Sequence, residues 1–365
     1  MKNGKIYILF LFFVILIFLG NINLSSAVQN TKFQRLEGSQ IIWSIAGVLT
    51  ALLVPFLMKR IPLSIFIPLA YTVSLTALAA VLIWGEKISG SRRWFETPFG
   101  SLQPSEFSKP VIVLFISYYL EKINRGNFYI LIVFFFSLTA AGLILIEPDL
   151  GTASVIIVLL LTLYYLNEKK LKRFFLGVSL LILILIFSFI VSAKPYQLQR
   201  LTGFFSPEKN PESYYQTRQS VTIIGSGGLY GKGYKLGEGN LRGFIPADHT
   251  DFVLGVFGEE FGLFGFMAFM GLWLGIFLII LKIACETKGF YRNISIGVFT
   301  ILFFQLTYNL AMVTGLVPVT GIPSPFMTYG GSSMVSNSAM IGLVIFTSHK
   351  REKKEYMWNR LKRKR

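Results

Sequence analysis

FYILIVFFFSLTAAGLILI, residues 128–146, runs without a charged side chain into EPDLGTAS, residues 147–154, where a glutamate and an aspartate stand two positions apart. Crossing the roughly 30 Å hydrocarbon layer of a bilayer as an α-helix takes about 20 mainly apolar residues, so the first stretch reads as a membrane span and the second as its exit turn. Comparable apolar stretches recur at 6–24, 39–58, 62–84, 105–120, 152–167, 174–192, 261–283, 292–313 and 333–348. Several are short enough to be buried helices of a soluble core, but the composition argues against that. Of 365 residues 53% are hydrophobic and only 15% charged, against about 25% charged in soluble domains, which leaves too little polar surface to cover a core in water. The expectation is an all-α integral membrane protein, one polytopic domain over 1–365 with about ten transmembrane helices.

Orientation follows from the basic residues, which in short loops stay on the cytoplasmic side. An even span count puts both termini on one side. That side collects Lys2, Lys5, Lys59, Arg60, Lys122, Arg125, the cluster from Lys169 to Arg173, Lys282, Lys288, Arg292 and the basic tail at 349–365. With the acids included, the whole formal net charge of +17 falls there. The tail KREKKEYMWNRLKRKR is then explained by topology and by attraction to anionic lipid headgroups, so no nucleic acid is called for as a partner. The first apolar stretch is read as a retained span, although its basic start and the small residues Ser25 and Ala27 are also the pattern of a signal peptide. A single Cys285 gives no disulfide framework, and with only His249 and His349 no histidine or cysteine metal cluster can be assembled.

Two connections on the other side are long. Residues 85–110 mix Gly, Pro and Ser with Arg92, Arg93, Glu96, Glu106 and Lys109. Residues 193–260 form a large extracytoplasmic loop between spans 7 and 8, and connections of that length are usually functional or disordered. It contains YQLQRLTGFF (196–205), whose Leu198, Leu201 and Phe205 recur at helical spacing and suit an interfacial amphipathic helix. The glycine-rich IIGSGGLYGKG (223–233) follows; it lacks the strand that a phosphate loop requires.

Charged groups at membrane depth are costly, and they mark function more often than not. Glu106 and Lys109 are three apart on a helix and can pair, either to secure the helix end or to offer Lys109 to an anionic ligand. Asp149, three before Thr152, reads equally as a helix cap and as a site residue. In PADHTDFVLGVFGEEFG (246–262), Glu259 and Glu260 are expected in the first turns of the next helix, where negative charge suits its dipole. Asp251 differs. Between His249 and an apolar run it is partly desolvated, which makes it a better proton acceptor than an exposed aspartate.

SRRWFETPFGSLQPSEFSKP (91–110), EPDLGTAS (147–154), residues 196–231, PADHTDFVLGVFGEEFG (246–262) and GLVPVTGIPSPFMTYGGSS (315–333) together resemble the SEDS family of bacterial peptidoglycan polymerases, over nearly the whole chain after residue 40. GGLYGKG and PVTGIPSPF are closer to its cell-elongation branch than to its cell-division branch. The loop 236–244 is individual, and Arg92 falls where relatives vary, whereas Arg93 beside Trp94 matches.

The resemblance implies a ten-span glycosyltransferase of the bacterial cytoplasmic membrane that joins lipid II units on the outer face. It implies Asp251 as the essential aspartate, acting as general base, and undecaprenyl diphosphate as leaving group. Arg93, Lys109 and Arg200 are candidates to stabilise the diphosphate, Gln197 and Arg200 match the Gln-x-x-Arg of the large loop, and Glu106 would orient Lys109. His249 would tune Asp251 or make a structural hydrogen bond. Ser332 and Ser333 would line the cavity, beyond the breakers Gly330 and Gly331. A divalent cation, Mg or Mn, could bridge diphosphate and carboxylates, although no cluster in the sequence demands one. The implied partner is a class B penicillin-binding protein, a transpeptidase, against spans near 261–313 and the large loop. Two rival functions have the same general architecture: a flippase for lipid-linked precursors, and a membrane scaffold that recruits the transpeptidase. Clustering of the charges of interest at one side favours chemistry over passage.

Overall fold

The computed structural model describes residues 4–29, 31, 33–88, 91–97, 100–122, 128–167, 202–206, 208, 211–237 and 251–362. The helices are α1 (Gly4–Ala27), α2 (Leu36–Arg60), α3 (Leu63–Trp84), α4 (Pro104–Glu121), α5 (Phe128–Ile146), α6 (Leu150–Asn167), α7 (Pro211–Ser226), α8 (Val253–Glu286), α9 (Phe290–Val313) and α10 (Gly331–Lys362). Every predicted span coincides with one of them except 174–192, which lies outside the described residues. Helices dominate because no water is available in hydrocarbon, and a helix satisfies its own backbone.

Among the described residues, α1, α2, α3, α5, α6, α8 and α9 are long and apolar enough to cross a membrane. α4 and α10 differ in kind. α4 carries Glu106 and Lys109 and is buried along most of its length, because α3, α5, α6, α9 and α10 all pack on it. α10 is buried as far as Thr347 and continues into the basic segment. α2, which lies along α10, leaves Ile42, Leu49 and Leu53 bare on its other face. A face of that kind belongs against lipid.

α1 lies along α8 and is fastened to it near both ends. Lys5 pairs with Glu286 at 2.5 Å. At the opposite end Asn23 Nδ2 donates to the Val253 carbonyl at 2.9 Å, and the Ser26 hydroxyl donates to Glu260.

The connections depart from the sequence reading in three places. Three short segments form a small antiparallel sheet, β1 (Glu86–Ile88), β2 (Ser91–Thr97) and β3 (Gly100–Leu102), in that order. Trp94 pairs with Glu86 and Phe95 with Leu102; the three-residue strands β1 and β3 are too short to stand out from the Gly and Ser around them. In the large loop, Thr202–Phe205 is one helical turn, while Leu198 and Leu201 lie outside the described residues. α7, which the sequence reading left as loop, packs against α8 and α9 and donates from Ser220 Oγ to the Val313 carbonyl at 2.9 Å.

The third departure is α8, which starts at Val253 instead of residue 261 and breaks at Gly262 (φ 61°, ψ −164°), a region open essentially to glycine alone. A break in a helix orphans carbonyls before it and N–H groups after it. The glycine-rich loop supplies them: Lys232 N donates to Glu259 O (2.9 Å) and Gly233 N to Glu260 O (3.0 Å), while Gly228 O accepts from Leu263 N (3.0 Å) and Leu229 O from Phe264 N (3.1 Å). Glu259 and Glu260 therefore lie beyond the first turn of α8 and are buried, contrary to their expected place at the helix start. Lys232 Nζ meets Glu259 at 2.8 Å and the Lys235 amide meets Glu260 at 3.1 Å.

This junction gives a stability prediction. A β-carbon at Gly262 would sit 2.3 Å from Gly231 N. Gly262→Ala is expected to destabilise by about 3 kcal/mol or more, from strain and a displaced loop. Gly271→Ala, whose β-carbon meets nothing within 4 Å, should leave the melting temperature of the detergent-purified protein unchanged or higher. Equal melting curves for the two variants would contradict the described junction.

Candidate functional site

The motifs of the sequence meet at the loop-rich end of the bundle, where α4, α6, α8 and α10 begin and α3, α5 and α9 end. The first turns of α4 place Glu106 and Lys109 on one face. Lys109 Nζ lies 2.6 Å from Glu106 Oε2, and both side chains are buried. The start of α10 pins this turn: Ser336 Oγ donates to the Glu106 carbonyl at 2.6 Å, and Ser332 Oγ accepts from the Gln103 amide at 3.0 Å. Ser333 Oγ accepts from Asn337 Nδ2 at 3.1 Å. Ser332 thus braces the entry to α4, and Ser333 is bound within its own helix.

The turn between α5 and α6 is held from two sides. Arg93 on β2 donates from Nε to the Glu147 carbonyl at 2.8 Å and from a terminal nitrogen to the Pro148 carbonyl, closing orphan carbonyls at the end of α5. Asp149 caps α6: Oδ1 accepts from Thr152 N at 3.0 Å and Oδ2 from Thr152 Oγ1 at 2.9 Å. Oδ2 also receives Gln103 Nε2 at 3.3 Å, which ties this turn to the start of α4. Arg93 and Gln103 thus hold the 91–110 and 147–154 motifs in fixed relation.

Asp251 stands just before α8, and the segment between α9 and α10 comes up against it. Asn309 Nδ2, near the end of α9, donates to the Asp251 carbonyl at 2.9 Å and to the Ile322 carbonyl at 2.8 Å. Gly321 lies so close that a β-carbon on it would be 3.4 Å from Asp251 Oδ2. The same segment touches the 147–154 turn, since a β-carbon on Gly151 would meet Ile322 at 2.8 Å and the Thr320 carbonyl at 3.2 Å. Asp251, Asp149, Arg93 and the Glu106–Lys109 pair are therefore linked through Thr320–Ile322, Gln103 and Glu147–Pro148. Gln197, Arg200 and His249 lie outside the described residues.

The family described as cell cycle proteins FtsW, RodA and SpoVE matches residues 5–353. This chain belongs to that family. FtsW of Trichlorobacter lovleyi, named a probable peptidoglycan glycosyltransferase, is 31% identical over 318 residues, 84% of this chain and 81% of the relative. The peptidoglycan glycosyltransferase MrdB of Escherichia coli K12 is 31% identical over 333 residues, 84% and 88% of the two chains. Among solved structures, a chain of a peptidoglycan synthase complex that coordinates polymerization and crosslinking superposes with a TM-score of 0.78 at 28% identity, covering 95% of this chain and 97% of that one. The rod shape determining protein RodA of Thermus thermophilus superposes with a TM-score of 0.69 at 28% identity, covering 96% and 97%. The chain is accordingly a mostly helical integral membrane protein of the FtsW/RodA/SpoVE family.

Three residues of this region were not singled out by sequence. Gln103 precedes Pro104 and reads as a helix boundary; Asn309 is a polar residue inside an apolar span; Gly321 is one glycine among many. Only Asn309 carried a usable signal, as an amide at membrane depth that needs partners.

Glu147 adds a titration. Its carboxyl is fully buried and neither oxygen has a hydrogen-bond partner among the described residues. Burial pushes it up from 4.5 to about 9; the neighbouring Asp149 adds to the rise, and Arg93 opposes it. The group keeps its proton in the folded chain at neutral pH but loses it when unfolded. Its contribution to stability is complete below the unfolded value and is lost as pH rises through the folded one. The melting temperature of Glu147→Gln is therefore expected to fall less than that of the wild type between about pH 6 and 9.5, and parallel curves would contradict the buried neutral carboxyl.

Proposed function

We propose that this chain is a peptidoglycan glycosyltransferase of the elongation type, which polymerises lipid II into glycan strands at the outer face of the bacterial cytoplasmic membrane. The observation that carries the reading is the convergence of Asp251, Gly321 and Asn309, beside the turn capped by Asp149, at one end of a fold whose curated relatives are named peptidoglycan glycosyltransferases. The elongation assignment is supported by the wording of GGLYGKG and PVTGIPSPF and by the RodA neighbour.

An acceptor sugar hydroxyl is too weakly acidic to attack unaided, so a base must be within hydrogen-bond reach. Asp251 takes the proton from the 4-hydroxyl of the acceptor's N-acetylglucosamine. The oxygen attacks the anomeric carbon of the donor's N-acetylmuramic acid, the bond to undecaprenyl diphosphate breaks, and the configuration inverts from α to β in one displacement, by the logic of inverting glycosidases. The proton remains on Asp251 until it is released to solvent. Negative charge grows on the departing diphosphate, and cations aimed at it stabilise that charge. Lys109, oriented by Glu106, together with Arg93 and Arg200, is assigned that task, while Gln197, His249, Ser332 and Ser333 shape the surroundings. Among the described residues no three His, Cys, Asp or Glu side chains group as metal ligands.

The concentration of the net charge of +17 on the side of the termini supports cytoplasmic termini and an external site. A class B penicillin-binding protein is the partner that the resemblance to a synthase-complex chain favours, docking against α8, α9 and the large loop.

The test is polymerisation of labelled lipid II by the chain purified with such a transpeptidase. Asp251→Asn keeps size and hydrogen bonding but removes the base, and a loss of about 10²- to 10⁴-fold is expected with partner binding intact. Equal product from both would move the base elsewhere, and no product from either would favour the flippase or scaffold readings.

A further inference from the structure

We infer that Asn309 is a positioning residue for glycosyl transfer, fixing the backbone on both sides of the Asp251 carboxylate. The inference rests on the reading of Asp251 as the base. Asn309 is fully buried near the end of α9, a helix packed on by α4, α6, α8 and α10 and hence rigidly placed. A side-chain amide carries two N–H donors. Both go to backbone carbonyls, those of Asp251 and Ile322, at 2.9 and 2.8 Å. Its Oδ1 has no hydrogen-bond partner among the described residues, so the residue acts in this arrangement as a two-pronged donor.

A buried asparagine that closes two orphan carbonyls has an ordinary structural use, and the chain contains such a case for comparison. Asn23 on α1 is equally buried and donates to the carbonyl of Val253, two residues past Asp251, at 2.9 Å. Asn23 anchors only the beginning of α8. Asn309 differs in which segments it joins: one carbonyl is that of Asp251 itself, and the other follows Gly321, which has φ +79° and lies against the Asp251 carboxylate.

An aspartate side chain has only two torsions, so its carboxylate goes where its backbone is placed. The wall it faces is non-helical and has no hydrogen-bond ladder of its own. One amide on a rigid helix sets the distance between them. Reacting groups misplaced by about 1 Å lose on the order of 10²-fold in rate, which gives the scale for release of this clamp.

Asn309→Leu keeps the approximate shape and removes both donors; Asn23→Leu removes a comparable bond near the same helix start. Both should lower the melting temperature, since each removes buried hydrogen bonds to backbone carbonyls. In the lipid II assay with the partner-bound protein, turnover by Asn309→Leu is expected to fall about 10- to 100-fold, with half-saturating lipid II unchanged. Asn23→Leu should stay near wild-type turnover. Added to Asp251→Asn, the Asn309 substitution should cause no further loss.

Wild-type turnover by Asn309→Leu, or a loss equalled by Asn23→Leu at the same folded fraction, would overturn the inference while leaving the base reading intact. Full activity of Asp251→Asn would overturn the base reading and this inference with it. If Asn309→Leu does not fold, Asn309→Ser, which keeps one donor, is read by the same criteria.

Discussion

A lysine and a glutamate in contact at 2.6 Å, both out of reach of solvent, set the terms for the rest of this protein. A lone charge in hydrocarbon costs several kcal/mol, and removing one partner of a buried pair costs about 3–5 kcal/mol because the other is left uncompensated. The helix that carries them cannot face lipid. α4 is accordingly enclosed by α3, α5, α6, α9 and α10, and it is the helices around it that show bare apolar flanks. The position of one ion pair thus separates the enclosed helix from those that bare apolar side chains.

The second organising constraint is the backbone. Where α5, α9 and the first part of α8 end among the described residues, carbonyls lose their intrahelical partners, and the chain supplies donors from side chains and loops. Arg93 serves the end of α5, Ser220 the end of α9 and the glycine loop the break at Gly262, while Ser336 and Asn23 add donors to carbonyls in the first turns of α4 and α8. Each donor comes from a different segment. Satisfying the backbone and bringing these segments together are consequently one process.

Features written locally were legible in the sequence. Span lengths follow from composition, the Glu106–Lys109 pairing from a separation of three, and the Asp149 cap from Thr152 three positions on. Features that depend on a distant segment were not. α8 was expected to begin near residue 261, because the run from Val253 reads as loop until the glycine-rich segment that docks on it is known. For the same reason the sequence places Glu259 and Glu260 at a helix start, whereas Lys232 and Ser26 hold them in a buried junction. Strands β1 and β3 lacked sufficient length, and the meeting of Asp251 with Gly321 through Asn309 joins positions whose alternation patterns carry no mutual signal.

The attachment of α1 to α8 also bears on how the molecule is made. The hydrogen bonds of Asn23 and Ser26 join positions 230 and 234 apart, and Lys5 meets Glu286 281 positions on. At ribosomal rates of about 5–20 residues per second, the first helix of the chain stands in the bilayer for roughly ten seconds or more before its long-term neighbour exists. In that interval it has its own apolar run and its contact with α2, through the Asn21 Nδ2 bond to Ser44 Oγ at 2.9 Å. The contacts between α1 and α8 close only once the chain has been made as far as α8.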